Sequence, residues 1–377
     1  MTVPFSSLCL SKKIVIFVGE GGVGKTTLAA AAALSGARSG RHVACLTIDP
    51  ARRLADCLGL ADLRSATDIV DATSRLEGSG YPVSGSLGIG MLDARATFDE
   101  LVRQRAKTAQ HAERILHNRL YRYVSSSLSG IQEYMALERL AQLRADPCRD
   151  LIILDTPPSA NTIDFFSAPG RMKEALDGPL VRVMRRLSKS QARAGFDLAG
   201  RWAHAMLGIL ARVAGAQLLD EIMDFVDALS DLFGDFFVHA SSLETILNSS
   251  EVAIVMVTRP GEAALNDCLR FRNALSSLGF SIHGLVVNQM HFPEIIEPPP
   301  SAISESERLR INDINADWNR LHVRECNAIG GLLSSWPQID RVCGVPSLPE
   351  QAASVANLAR IMESMFEISR EDARFHR

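Results

Sequence analysis

The chain has 377 residues, of which 47% are apolar and 22% charged, and its formal net charge is −3. This near-neutral balance argues against a nucleic-acid partner, and the length allows one large domain or a core with an insertion. The seven cysteines are scattered without a C-x-x-C pair, so we expect reduced thiols in the cytoplasm and no zinc site. The longest apolar stretch, residues 203–216, is interrupted by Arg212 and is unsuited to cross a bilayer.

The first predicted strand–loop–helix unit carries the phosphate-binding pattern G-x-x-x-x-G-K-[ST]. Residues 14–18 predict a buried strand and the alanine-rich residues 28–37 predict a helix, which are the flanks that this motif requires. The predicted nucleotide-binding residues between and at these flanks are Gly19, Glu20, Gly21, Gly22, Val23, Gly24, Lys25, Thr26 and Thr27. In such a loop, backbone N–H groups cradle the phosphates, the lysine reaches the β- and γ-phosphates, and the first threonine ligates Mg²⁺.

Further strands and helices predict an α/β fold of the P-loop NTPase class, with a mostly parallel sheet flanked by helices. Apolar runs predict five more strands, at residues 43–48, 87–92, 151–154, 252–257 and 282–287. Helical periodicity over residues 96–143 and 171–247 predicts an α-helical subdomain inserted into the core. The predicted ATPase core comprises residues 1–95, 150–168 and 250–377, and the predicted helical subdomain comprises residues 96–149 and 169–249.

The carboxyl-terminal part of the chain predicts less regular structure. Residues 292–306 are rich in proline and polar residues, which favours an exposed or disordered loop. A final strand is predicted from Val342, followed by a helix over residues 350–366.

Two aspartates follow predicted strands on the side of an open α/β sheet that binds ligands. Asp155 ends the apolar run of residues 151–154, and we predict that it holds Mg²⁺ through a bound water. Asp49 follows the strand of residues 43–48 and precedes Pro50, and we assign it the orientation of the attacking water. A turn or helix-capping role remains the alternative for each of them.

With these motifs the chain resembles the ArsA family, which includes arsenite-pump ATPases and the cytosolic ATPases that target tail-anchored membrane proteins. The matching segments are residues 19–27, residues 47–56 as switch I, residues 155–159 as switch II, residues 286–289 and residues 344–349. The resemblance implies a Mg²⁺-dependent ATPase that is dimeric, with ATP closing the dimer and hydrolysis opening it. It also implies that Asn288 contacts the adenine and that the loop containing Pro346 closes over the base.

The chain departs from the family pattern at the second position of the phosphate loop. Glu20 stands where the family has a lysine that reaches the phosphates of the partner subunit, and a carboxylate there would repel a triphosphate. Arg52 and Arg53 of switch I are candidate substitutes, as catalytic arginines. Three alternatives follow: a different ArsA-like subunit supplies the lysine in a heterodimer, a homodimer uses Arg52 or Arg53, or the chain binds nucleotide with little turnover.

The helical insertion contains candidate surfaces for a partner. Apolar residues at helical spacing predict an amphipathic helix, which either packs inside the subdomain or forms a groove for an apolar client helix. Its apolar positions are Leu198, Trp202, Met206, Ile209, Leu210 and Val213, and the phenylalanines that would complete the groove are Phe225, Phe233, Phe236 and Phe237. A basic segment, residues 182–193, is either a solvated face or a contact for anionic lipid or an acidic partner.

The sequence therefore predicts a cytoplasmic, dimeric Mg²⁺-dependent ATPase of the ArsA type whose nucleotide state rearranges a client-binding helical subdomain. The alternative is a nucleotide-dependent switch or scaffold with low turnover in a hetero-oligomer. An arsenite pump is less favoured, because arsenite binding needs converging thiolates and the cysteines are not clustered.

Overall fold

The computed structural model of the protein describes residues 11–48, 53–58, 69–78, 80–119, 121, 130–157, 159–177, 233–292, 304–348 and 354–368. The predicted amphipathic helix of residues 198–213, the basic segment and most of the predicted loop of residues 292–306 lie outside these ranges. The strands are β1 (Ile14–Gly19), β2 (His42–Thr47), β3 (Val70–Asp71), β4 (Ser86–Met91), β5 (Leu151–Asp155), β6 (Val252–Thr258), β7 (Gly284–Met290), β8 (Val342–Pro346) and β9 (Phe366–Glu367).

These strands form one sheet in the order β3-β4-β2-β5-β1-β6-β7-β8-β9. Within the described residues, all neighbouring strands pair in parallel except the two-residue strands β3 and β9, which pair antiparallel at the edges. The apolar residues of β1 and β5 are completely buried, as expected for strands covered on both faces. The predicted, mostly parallel α/β sheet is confirmed, and the two edge strands, which are too short to show a periodicity, are additions to it.

The helices flank this sheet or belong to the inserted segments. They are α1 (Lys25–Arg38), α2 (Arg53–Cys57), α3 (Thr73–Gly78), α4 (Ala94–Arg105), α5 (Ala109–Leu116), α6 (Ile131–Ala145), α7 (Ser159–Leu176), α8 (Phe233–Leu247), α9 (Glu262–Ser277), α10 (Glu305–Ser335) and α11 (Val355–Ser364). None of the helices that the structure describes is long and apolar enough to cross a membrane.

Helix α1 follows the phosphate loop and packs against β1, β2 and β5. Its run of small alanines is buried, which lets the helix axis approach the sheet closely. The approach is close at Gly36, because a Cβ atom there would lie 2.7 Å from Cδ2 of Leu151 and 3.1 Å from Cγ2 of Val43. The alanine-rich sequence thus holds the amino terminus of α1 in a fixed position beside the strands.

The carboxyl-terminal region differs from its prediction at three places. The predicted irregular segment ends earlier, since α10 begins at Glu305 with a capping box formed by Ser304 and Glu307. The 31-residue helix itself was not predicted, because its first turns are largely exposed and show a weak apolar periodicity. The predicted helix of residues 350–366 is shorter in the described part of the chain, where Phe366 belongs to β9.

The chain divides into two compact units, each discontinuous in sequence. One consists of residues 1–92, 143–163 and 250–377 and contains the sheet, and the other consists of residues 93–142 and 164–249 and is helical where described. In the helical unit, Phe98 packs against Tyr121 and Phe236, and the Tyr121 hydroxyl donates a hydrogen bond to Asp99. Two of the four boundaries between the units fall within α6 and α7, and the other two lie before α4 and after α8.

Candidate functional site

The phosphate loop connects the end of β1 to the start of α1 and depends on glycine at three positions. Gly19, Gly22 and Gly24 have φ angles of +148°, +77° and +96°, which side-chain-bearing residues rarely adopt. A Cβ atom on Gly19 would lie 2.2 Å from the carbonyl oxygen of Val257, and one on Gly24 would lie 2.2 Å from Nδ2 of Asn288. Glycine is therefore required at Gly19 and Gly24 both by the backbone angles and by the space available.

The amino terminus of α1 presents backbone N–H groups without a side-chain cap. Gly24 is the N-cap residue, no side chain caps the helix, and the first turn contains no acidic residue. The first N–H groups of a helix lack partners within it, and the helix dipole adds partial positive charge there. This end of α1 therefore suits an anion such as a phosphate group.

Lys25 folds back over the loop and is nearly buried. Its Nζ atom donates hydrogen bonds to the carbonyl oxygens of Gly19, at 2.9 Å, and of Glu20, at 2.8 Å. The ammonium group is thereby held above the same loop whose N–H groups would cradle phosphates. The phosphate-binding role of Lys25 remains a prediction of the sequence motif.

Asp155 receives hydrogen bonds from two threonine hydroxyl groups at the carboxyl end of β5. Thr26 and Thr47 donate to its Oδ2 atom at 2.7 and 2.9 Å. The carboxylate is completely buried, because β5 lies between β1 and β2 in the sheet. Burial also raises the pKa of the neighbouring Cys45 thiol well above its usual value, and the Asp155 charge adds to this effect. Cys45 therefore stays protonated beside the site.

This donor set fits Mg²⁺. A threonine hydroxyl and a carboxylate are hard oxygen donors, and Mg²⁺ in nucleotide sites usually keeps several waters and phosphate oxygens besides one or two protein groups. The described residues contain no group of three or more His, Cys, Asp or Glu side chains arranged to hold a metal ion. Thr26 would accordingly be the direct ligand and Asp155 the group that orients it and a metal-bound water.

The segment after Asp155 is tied to the sheet by threonines. Thr156 donates from its hydroxyl to the carbonyl oxygen of Phe17 in β1, at 2.7 Å. Thr162 donates to the carbonyl oxygen of Pro157, also at 2.7 Å, and its hydroxyl lies 3.3 Å from that of Thr156. The first turn of α7 is thus connected by hydrogen bonds to the ends of β5 and β1.

Asn288 lies beside the phosphate loop, where its Nδ2 atom donates to the carbonyl oxygen of Val23 at 2.8 Å. It is placed there at an irregularity of the β7–β8 pairing, where Gln289 has a φ of +61°. Pro346 ends β8 and is partly exposed, and the next backbone N–H, of Ser347, donates to the carbonyl oxygen of Met290. The adenine contacts of Asn288 and Pro346 remain predictions.

The sequence model of the family described as Anion-transporting ATPase, the ArsA ATPases, matches residues 12–331 of the chain. The chain belongs to the ArsA ATPase family. A protein of Aquifex aeolicus that is named provisionally as an arsenical pump-driving ATPase is 22% identical over 97% of this chain and 81% of its own length. Two proteins named ATPase get3 are each 25% identical to this chain. The one from Aspergillus terreus matches over 74% of this chain and 74% of its own length, and the one from Pyrenophora tritici-repentis matches over 75% of each.

As a member of the ArsA ATPase family, the protein binds and hydrolyses ATP. The motif predicts that Lys25, which is held above the loop, contributes positive charge to phosphate binding, and Asp155 accepts the hydrogen bond of the Thr26 hydroxyl. Bound Mg²⁺ would neutralise charge on the β- and γ-phosphate oxygens during transfer. Asp155 and Thr26 were predicted from their positions after β5 and in the loop, and the structure brings them together.

Other predicted site residues of this ArsA-family ATPase are not placed by the structure. Asp49 and Arg52 lie outside the described residues, and only the backbone of Arg53, which begins α2, is described. Two side chains at the site were not predicted, namely Thr47, which contacts Asp155, and Arg259, whose Nη2 atom donates to the carbonyl oxygen of Gly22 at 2.5 Å. The signal that identified Asp49 and Asp155 could have found them too, because Thr47 and Arg259 also lie at the carboxyl ends of strands, β2 and β6.

Proposed function

We propose that the protein is a Mg²⁺-dependent, dimeric ATPase in which nucleotide binding and hydrolysis rearrange the helical unit that handles a client. The observation that carries this proposal is the path of α7. This helix starts four residues after Asp155, and the boundary between the sheet-containing unit and the helical unit falls within it. One helix therefore joins the segment that follows the phosphate site to the helical unit by covalent continuity.

The hydrogen bonds around Asp155 support a mechanical connection to this helix. Thr26 of the phosphate loop contacts Asp155, and Thr156 and Thr162 fasten the following segment to β1 and to the first turn of α7. A change in the ligands of Thr26 on binding or hydrolysis would alter the position of Asp155. Because switch segments in nucleotide hydrolases are held by phosphate and Mg²⁺ contacts, we expect the start of α7 to respond.

The dimer and its location are part of the proposal. A chain with one phosphate loop fits an assembly of two chains, either two copies of this chain or this chain with another ArsA-like subunit. The relatives named get3 and the arsenical pump-driving relative extend over most of the chain, which supports the same overall organisation. We place the protein in the cytoplasm on the pattern of its cysteines.

We propose an apolar helix of a protein as the client. In the described part of the helical unit, Phe236 of α8 is buried, whereas Phe237 and Val238 are 38% and 65% exposed. Large contiguous apolar patches mark surfaces that bind apolar partners, and we propose that Phe237 and Val238 belong to such a patch. The other residues proposed for the groove, including Trp202 and Met206, lie outside the described residues, as does the basic segment proposed to contact a membrane surface.

A second candidate function is a nucleotide-dependent switch or scaffold in a hetero-oligomer. Glu20 favours this alternative, because a carboxylate at that position weakens the closed arrangement of two identical phosphate sites. The two candidates differ in the turnover and in the assembly of the purified chain. An arsenite-driven pump is a weaker candidate, since it needs a cluster of thiolates.

Steady-state ATP hydrolysis and light scattering of the purified chain test the proposal together. We expect the wild-type chain to hydrolyse ATP, and this activity to be lost with EDTA and in the variant Lys25→Ala. In light scattering, we expect the fraction of the chain that has the mass of a dimer to increase with Mg²⁺ and a non-hydrolysable ATP analogue. Negligible hydrolysis that rises on addition of a second ArsA-like subunit would favour the scaffold function. Hydrolysis by a strictly monomeric chain would contradict the dimer.

A further inference from the structure

Arg259 lies at the phosphate loop, at the carboxyl end of β6. This strand pairs with β1 through Gly19, which is opposite Val257, so β6 leads directly to the loop. The next residue, Pro260, is buried, and a residue before proline is confined to extended conformations. The backbone of Arg259 is therefore fixed, while its side chain is exposed and reaches the carbonyl oxygen of Gly22.

The contact of Arg259 places a guanidinium group at the Gly19–Gly22 half of the phosphate loop. Lys25, which in this motif reaches the β- and γ-phosphates, is held by the carbonyl oxygens of Gly19 and Glu20. We therefore expect the Gly19–Gly22 half of the loop to face the γ-phosphate, and Arg259 lies on this half. A guanidinium group has five N–H donors, and among the described residues that of Arg259 donates to the carbonyl oxygen of Gly22.

The charge of Glu20 indicates what a cation such as Arg259 can do at the loop. Glu20 adds a negative charge next to Gly19, which repels a triphosphate more strongly than a diphosphate. A second cation on the γ-phosphate side would offset that repulsion, and guanidinium groups suit phosphate oxygens because they donate two parallel hydrogen bonds.

We propose that Arg259 binds the terminal phosphate of ATP in the same chain and so offsets the charge of Glu20. This role of Arg259 rests on the proposed ATPase function, and it makes the site selective for the triphosphate over the diphosphate. Arg259 would then supply the positive charge that is missing at position 20, a role for which the sequence suggested Arg52 and Arg53. If Arg259 served only to hold the Gly22 carbonyl, it would support binding of both nucleotides equally.

Calorimetric titration with AMP-PNP, as a non-hydrolysable ATP analogue, and with ADP, both with Mg²⁺, distinguishes these roles. We expect Arg259→Ala to weaken AMP-PNP binding about tenfold while changing ADP binding by less than about twofold. Arg259→Lys should lose less, and Glu20→Gln introduced into the Arg259→Ala chain should restore part of the preference for AMP-PNP. The control is Arg270→Ala, since Arg270 is exposed on α9 and pairs with Asp267.

Equal weakening of AMP-PNP and ADP binding in Arg259→Ala, or no weakening of either, would overturn the role of Arg259 and leave the ATPase function standing. Failure of Glu20→Gln to restore any of the preference would overturn the link between Arg259 and the Glu20 charge. A wild-type chain that binds neither nucleotide would overturn the ATPase function together with this role.

Discussion

The hydroxyl of Thr26 donates a hydrogen bond of 2.7 Å to Asp155, which lies 129 positions later in the chain. This bond joins the phosphate loop to the end of β5, and Thr47 donates to the same oxygen from β2. The start of α1 and the strands β2 and β5 therefore meet at one buried carboxylate. Asp155 is in this way the point at which the state of the phosphate site can be passed to the segment that leads into α7.

Removal of the loop lysine should abolish tight nucleotide binding. In Lys25→Ala the ammonium above the Gly19 and Glu20 carbonyls is lost, and we expect ATP affinity to fall by about 3 kcal/mol, on the order of 100-fold. Fluorescent-nucleotide titration measures this. Lys12→Ala is the control, because the Lys12 ammonium contacts the Ser250 carbonyl near the start of β1. Equal affinities for Lys25→Ala and wild type would contradict the assignment of the loop.

Replacement of the carboxylate should uncouple nucleotide binding from Mg²⁺. Asp155→Asn keeps an oxygen that can accept from Thr26 and Thr47 but removes the charge that favours a metal-bound water. Groups that orient metal ligands typically contribute 10–100-fold to metal affinity, and we expect a loss of about this size in the Mg²⁺ dependence of ATP binding.

The matched control for that variant is Asp150→Asn, since Asp150 precedes β5 at its opposite end and pairs with Arg41. Titrations at fixed ATP with increasing Mg²⁺ compare the two variants. A Mg²⁺ dependence in Asp155→Asn that equals that of wild type would rule out a metal-site role for Asp155.

The loop glycine next to Asn288 should be sensitive to a single added methyl group. In Gly24→Ala the new Cβ atom would meet Nδ2 of Asn288, at a φ of +96°. We expect a loss of about 2 kcal/mol in the free energy of unfolding, from backbone strain and displacement of Asn288 together. Urea denaturation measures it. Gly40→Ala is the control, because Gly40 has a φ of +87° and open space around its Cβ position.

The control separates backbone strain from the displacement of Asn288. Gly40→Ala should lower the free energy of unfolding through backbone strain alone, by about 1 kcal/mol. Asn288→Ala introduced into the Gly24→Ala chain should recover part of the loss. A Gly24→Ala protein as stable as the Gly40→Ala protein would show that the contact with Asn288 does not contribute to the loss of stability.

The pairing of β6 and β7 should weaken in mild acid through His283. Burial, followed by the nearby Lys12 and Arg341, lowers the pKa of His283, and its Nδ1 atom accepts a hydrogen bond from the Ile254 N–H. Because the folded-state pKa lies below the unfolded one, this contribution is present above about pH 6.5 and is lost as the pH falls through the folded pKa.

Thermal unfolding of His283→Gln between pH 7.5 and pH 5, about 1 unit above and about 1.5 units below an ordinary histidine pKa, should show a smaller loss of stability than wild type. His117→Gln is the control, since it removes an exposed histidine that pairs with Glu113 and leaves the contact of His283 with Ile254 intact. Identical profiles for wild type and His283→Gln would refute the role of this histidine.

The sequence predicts those parts of the fold and site that depend on local patterns. The loop motif determines the placement of Lys25, and the position of Asp155 after an apolar run predicts its place beside Thr26. Helix α10 is not predicted because most of its first half faces solvent and has little apolar periodicity. The contact of Asn288 with Val23 depends on an irregularity between β7 and β8, which no local pattern indicates.

Arg259 shows a different reason for an incomplete prediction. Acidic residues at strand ends are readily associated with Mg²⁺, whereas a basic residue at the end of β6 is equally consistent with an ordinary exposed turn. Its relation to the loop depends on the pairing of β6 with β1, and this pairing is a property of the whole sheet.

The central claim, that nucleotide state reaches the helical unit through α7, is tested most directly by hydrogen–deuterium exchange. Exchange in α8, residues 233–247, and in the loop of residues 19–27 would be compared without nucleotide, with AMP-PNP and with ADP, each with Mg²⁺, for wild type and Lys25→Ala. We predict that AMP-PNP protects the loop and also changes exchange in α8, and that both changes vanish in Lys25→Ala. Protection of the loop with unchanged exchange in α8 would contradict the claim.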